Sequence, residues 1–343
     1  MMHLRGGGLL ISLVFVALAG CSVKKHKSTD SSQDGGPPSA DGGAAAADAS
    51  CSADHWCAMN SAHSLSDIAK KLDQATLNDL WGSSPSDVWT VGVSGDVLHW
   101  DGSRVNSETL KANALGVHFD GIWGSGAQDV WAVGGGSAVH FNGTAWTGMA
   151  LKTSRAVGVA GSGAKDVWTV GSAVKQGGSA AALHWDGLSW SETKTPTTHD
   201  LRAVWASSID NAWAVGVAGE IIHWNGKAWS EARSGTKVVL NAIWGSARND
   251  VWAVGQAGTI LHFDGKAWST TATPTNNELG SVWADSLKDA WAVGVRGEIV
   301  HWDGSTWTKS ASGTPKDLEG VWGSSSTDVW AVGQGGTILR RHP

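Results

Sequence analysis

The sequence predicts an all-β, seven-bladed β-propeller with four antiparallel strands per blade, and three observations carry that reading. A Trp-rich unit recurs from about residue 77 onward; its second Trp falls at Trp89, Trp131, Trp168, Trp213, Trp252, Trp291 and Trp330, the last four spaced by 39 residues. A period near 40 with Gly and Asp-Gly punctuation marks a propeller or a solenoid. Each unit then holds four short runs rich in Val, Ile, Trp and Thr, as in LNAIWGS, DVWAVGQ, TILHFDG and KAWSTTA from Leu240 onward. Four strands per repeat make a propeller blade. Finally, the seventh copy reaches only its third strand, at TILRRHP, while ADHWCAMNSAHS upstream of the first copy carries Trp56 in the fourth-strand pattern of Trp146, Trp190, Trp229, Trp268 and Trp307. Residues near 53 to 62 are therefore expected to form the outer strand of the last blade, closing the ring and removing a raw sheet edge.

The elements follow from local chemistry. The third and fourth strands are joined by Asp101-Gly102, Asn142-Gly143, Asp186-Gly187, Asn225-Gly226, Asp264-Gly265 and Asp303-Gly304. Such dipeptides suit the positive φ angles of a type I′ hairpin turn. The 23 Trp, with Tyr absent altogether, recur in register and are expected to pack between blades. His99, His140, His184, His223, His262 and His301 share one place in the third strand, and Asp87, Asp129, Asp166, Asp250, Asp289 and Asp328 precede the second strand, with Asn211 in the remaining copy. One such residue per blade keeps them apart around a ring, so they cannot converge on a metal ion. A His–Asp hydrogen bond within or between blades is the expected role, and no metal or cofactor is expected.

The first residues have a different character. Leu9 to Ala19 is an apolar run too short for a good transmembrane helix, and Leu18-Ala19-Gly20-Cys21 follows it. This resembles a bacterial lipoprotein signal, which implies cleavage after residue 20 and acylation of Cys21, with Ser22 pointing to the outer membrane. Residues 21–50 then read as a lipidated Cys followed by a polar Gly, Ala and Ser tether. A coil of that length reaches about 30 Å root-mean-square. Residues 51–343 form the propeller. Acylation of Cys21 leaves Cys51 and Cys57 as an even pair, open to a disulfide or to free thiols.

The repeats, with segments such as Asp303-Gly304-Ser305-Thr306-Trp307, resemble those of Gram-negative propeller lipoproteins with Trp-rich BNR or Asp-box-like repeats. The chain departs from the Asp-box, Ser/Thr-x-Asp-x-Gly-x-Thr-Trp, in having Gly directly after Asp and one residue fewer before Trp. The resemblance implies a propeller and, as the alternative function, a carbohydrate-active enzyme of the BNR-repeat glycosyl hydrolase type. Sialidases of that class use a Tyr nucleophile, which this chain lacks. Two-carboxylate hydrolysis needs a specific pair, and the recurrent Asp residues belong to turns of most blades. No GxSxG, Walker or HExxH motif occurs.

With 31 acidic against 25 basic residues and no basic stripe, nucleic-acid binding has little to work with. The expectation is a non-catalytic, monomeric, envelope-anchored module binding a protein or glycan, with the membrane engaged through its lipid. Its face is read from variation between repeats. Three residues before the first Trp position stand Asn78, Asp120, Val157, Arg202, Asn241, Gly280 and Glu319, and nothing else inside the strands varies so much in charge. The loop after the second strand of blade three is six residues longer than its sisters and carries Lys175 and Gln176. Both features fall on one face if the first strand is innermost. The candidate binding face is therefore Asn78, Asp120, Arg202, Asn241, Glu319, Lys175 and Gln176.

Overall fold

The computed structural model describes residues 51–59, 75–108, 110, 118–153, 155–172 and 178–341. Cys21, the tether, and Lys175 and Gln176 lie outside them. The described strands form seven four-stranded antiparallel sheets, each ordered first to fourth along the chain except the last. Blade 5 shows the pattern: Leu240–Ala247, Asp250–Gly255, Ile260–Phe263 and Trp268–Thr270. The first strands neighbour one another around the ring, that of blade 7 meeting that of blade 1. They are the innermost strands and line a central channel.

The second strand explains its own sequence. Each sheet is sandwiched between two others, so Asp250–Gly255, DVWAVG, is buried on both faces. A continuous apolar run replaces the alternation of a half-exposed strand. The outer strand Trp268–Thr270 keeps one packing residue and exposes the rest.

Two layers of Trp hold adjacent blades. The second-strand Trp packs against the outer aromatics of the next blade: Trp252 lies 5.3 Å from both Trp302 and Trp307, and Trp131 lies 5.1 Å from Trp185 and 5.3 Å from Trp190. Nearer the axis, the first-strand Trp packs its ring against a glycine of the next blade. A Cβ on Gly124 would stand 2.6 Å from the Trp81 ring, and one on Gly82 would stand 2.6 Å from the Trp322 ring. The recurring Trp-Gly pair is thus one contact read twice in five of the seven seams; Trp244 instead meets Ala284, whose carbonyl accepts its indole N–H at 3.1 Å.

The ring closes as expected, with a shorter strand. Trp56–Ala58 pairs antiparallel with Thr337–Arg341, beside Asp328–Gly333 and Leu318–Ser325. Trp56 is fully buried, lies 5.5 Å from Trp291 in an edge-on arrangement, and donates its indole N–H to Ser310 Oγ at 3.2 Å. Cys51 and Cys57 form a disulfide across the turn leading into this strand.

One local expectation fails. The Asp-Gly turns are not type I′ pairs, because in each only the Gly has positive φ, as at Gly102 (89°) and Gly265 (89°). The connection runs over four residues, and Asp101 Oδ1 accepts the backbone N–H groups of Ser103 and Arg104, each at 2.9 Å. The Asp side chain itself folds the turn, a local bond that competes with the two-residue hairpin.

Candidate functional site: the channel mouth

The recurrent polar residues are built into the scaffold. His99 Nε2 lies 2.6 Å from Asp87 Oδ1 within one blade, the same Asp accepts Ser83 Oγ, and the His ring stacks on Trp89 at 3.9 Å. Burial opposes ionisation of Asp87, but the His99, Ser83 and Trp89 donors outweigh it and hold the carboxyl below its ordinary range. In blade 7 Arg340 stands where the others carry His, with Nε 2.6 Å from Asp328 and the guanidinium over Trp330 at 4.5 Å. Blade 6 has Asp285 in the place of the Ser, and Asp289 Oδ2 is left buried without a hydrogen-bond partner. Among the described residues no cluster of His, Cys, Asp or Glu could hold a metal ion.

The seven variable positions behave otherwise. All of them, Asn78, Asp120, Val157, Arg202, Asn241, Gly280 and Glu319, line a single polar cavity of about 330 Å³ at the mouth of the channel. For six of them the cause is a β-bulge near the start of the first strand, while Asp120 stands just before its strand. Leu201 pairs with Gly216 and Ala203 with Val215, so Arg202 is the extra residue; the same skip falls at Asn78, Val157, Asn241, Gly280 and Glu319. A bulge leaves its residue out of the ladder and re-aims the side chain. These positions can therefore vary without disturbing strand pairing.

The structure adds residues that the sequence reading missed. Arg155, Asp200 and Glu278 also line the cavity, and each stands two residues before a bulge position. A signal for them exists: that place reads Thr76, His118, Arg155, Asp200, Val239, Glu278 and Asp317 around the repeats, a second variable ring beside the first.

The electrostatics of the mouth are asymmetric. Arg155 Nη2 donates to Asp120 Oδ1 at 2.8 Å, with His118 Nε2 3.4 Å from the same carboxylate, and that Asp120 contact raises the Arg155 guanidinium above its ordinary value. Asn241 Nδ2 donates to Glu278 Oε1 and to the Leu279 carbonyl, both at 2.9 Å. Among the described residues the Arg202 guanidinium makes one hydrogen bond, from Nη1 to Asn241 Oδ1 at 3.4 Å. Glu319 receives no hydrogen bond among the described residues; burial, then the nearby Asp317 and Glu278 carboxylates, push its carboxyl above the usual range. Below, Asp79 accepts the N–H of Leu80 in its own strand and, across a blade seam, that of Ile122, at 2.9 Å each. Desolvation in the channel wall outweighs those bonds and raises its carboxyl to about 7.

The loops on this face are tight. Val217–Gly219, Gln256–Gly258 and Val295–Gly297 each turn through a left-handed central residue, and in blade 6 that residue is the exposed Arg296, at φ 59°. Its N–H donates to Asp317 Oδ1 at 2.7 Å, which ties the turn to the mouth.

Comparison with solved structures places the fold among known propellers. YCF48 from Cyanidioschyzon merolae superposes with a TM-score of 0.63 at 17% identity, covering 79% of this chain and 96% of its own. A structure of YCF48 bound to D1 peptide gives 0.63 at 18%, over 79% and 94%. Virginiamycin B lyase from Staphylococcus aureus gives 0.67 at 12%, over 79% and 96%. At these identities the likeness is one of fold. No protein-family model and no curated protein sequence matches the chain.

Proposed function

We propose that this chain is a non-catalytic, monomeric binding module, anchored in the cell envelope through a lipidated Cys21, that presents the channel mouth to a protein partner. One observation carries the reading: the residues that vary at one place between otherwise repeated blades, six of the seven of them bulge residues, converge on one polar cavity. The Trp, Gly, Asp and His that recur are occupied by packing and by the Asp–His bonds. Variable polar groups on a rigid scaffold are where binding function resides. That a structural neighbour is described with a bound peptide is in keeping with this use of the fold, although fold alone does not assign function.

The test is a photo-crosslinking amino acid placed at Asn241, on the mouth, and at Lys266, on the opposite rim, in cells producing the full chain. A protein adduct formed only from position 241, and reduced by Arg202→Ala and Glu319→Ala, is the expected result. An adduct formed only from position 266, or a glycan in place of a protein, overturns the assignment. For the anchor, Cys21→Ser should abolish metabolic acyl labelling, and labelling that persists would refute it.

A glycoside hydrolase is the second reading, favoured by the closeness of Glu278 to Glu319 and the raised carboxyl of Glu319, a combination suited to a general acid. Polysaccharide turnover that is lost in Glu319→Gln would establish it.

A further inference from the structure

We infer that the partner, on the reading of the mouth as a binding face, offers a peptide segment of mixed charge: an acidic side chain to Arg202 and a basic side chain to Glu319. Most charged groups at the mouth already have partners. Arg155 is paired with Asp120, and Glu278 accepts a hydrogen bond from Asn241. Asp200 lies close enough to Arg155 to help raise its guanidinium, which leaves Arg202 and Glu319, neither of which has a charged partner of opposite sign among the described residues. Arg202 is exposed and, among the described residues, has one long hydrogen bond to a neutral amide oxygen and none to a carboxylate. Glu319 is half-buried, has no donor among the described residues, and is pressed by like charge from its neighbours.

Their placement sets the polarity. Arg202 belongs to blade 4 and Glu319 to blade 7, three blades apart, the widest separation a seven-membered ring allows. Both border the same cavity. A ligand carrying only negative charge would satisfy Arg202 and sit among Glu278, Asp317 and Glu319. One carrying only positive charge would relieve those carboxylates and leave Arg202 uncompensated. A segment with both signs serves both sectors, and complementary charges of this kind set orientation and partner choice. Peptide suits the cavity better than a rigid apolar ligand, because most of the side chains that line it are polar or charged.

The experiment uses the detergent-solubilised full chain and a bead library of octapeptides, acetylated and amidated at their ends so that only side chains carry charge. The retained pool should be enriched in octapeptides bearing both Asp or Glu and Lys or Arg. Arg202→Ala should remove the acidic preference alone and Glu319→Ala the basic preference alone, each lowering affinity for a selected mixed-charge peptide about tenfold, as expected for one charge-assisted bond. Circular dichroism melts of both variants confirm that the fold is retained. A retained pool of one sign, a composition unmoved by either variant, an empty pool, or retention only from a second library with free carboxyl ends overturns the inference. A mouth-specific protein adduct in the crosslinking experiment would stand regardless, so failure here is separable from failure of the binding face itself.

Discussion

Replacing Asp79 by Ser tests whether an ionisable group in the channel wall limits stability near neutral pH. The substitution has a precedent in the same ring. Ser281 occupies the matching place in blade 6, and its Oγ accepts the Val321 N–H across the seam at 3.2 Å, as Asp79 accepts that of Ile122 at 2.9 Å. Serine therefore keeps the cross-blade bond and removes the charge. The Asp79 carboxyl is raised from 3.8 to about 7 in the fold, so the folded state holds a proton that the unfolded chain has released between those values. The stability associated with that proton is fully present below the unfolded value and is lost as pH rises through the folded one. At 1.36 kcal/mol per pH unit, wild type should lose about 2–3 kcal/mol relative to Asp79→Ser between pH 5 and pH 8. That corresponds to a melting-temperature difference widening by about 4–10 °C. Glu319 is raised too, but it is common to both proteins and cancels in the difference. Loss of the Leu80 bond adds only a pH-independent offset. Calorimetry or urea unfolding at the two pH values measures the change; a constant difference, or one that narrows toward pH 8, would refute the reasoning.

Three further substitutions probe the scaffold. Trp56→Ala removes a fully buried ring and the Ser310 bond from the closing strand and should destabilise the propeller by about 3–5 kcal/mol, seen as a lowered and broadened melt; an unchanged melt would contradict ring closure by residues 56–58. Asp285→Ser places a hydroxyl where the other blades use one to satisfy the Asp of the second strand, and should stabilise the protein by about 1 kcal/mol by supplying the missing donor to Asp289; urea midpoints before and after the change decide it. Gly265→Val forces a β-branched residue to φ 89° with its Cβ 2.8 Å from the Asn249 side chain, and should lower the melting temperature without altering mouth binding.

Much of this architecture was legible because its causes are local and repeated. Trp252 and its equivalents announce blade seams, Asp87 and His99 announce a bond that the structure places within a blade, and Trp56 announces a fourth strand displaced to the other end of the chain. The turn chemistry was misread because Asp101 can bond to Ser103 and Arg104 from its own side chain, and a dipeptide pattern does not show which way that competition ends. The variable positions could be found by aligning the repeats. That they are bulges could not, since a bulge at Arg202 exists only relative to the partner strand that skips it.

The sequence by itself determined the number of blades, the strands in each and the residues free to vary, because every one of these repeats within about 39 residues. Only the tertiary structure decided what the variable residues do together. Asp120 and Arg155 are 35 positions apart in the chain yet joined at 2.8 Å, Glu278 and Glu319 repel one another from neighbouring blades, and Arg202 faces that acidic sector from the far side of the mouth. Ring closure creates these relations, and it is a property of all seven repeats packed together rather than of any one.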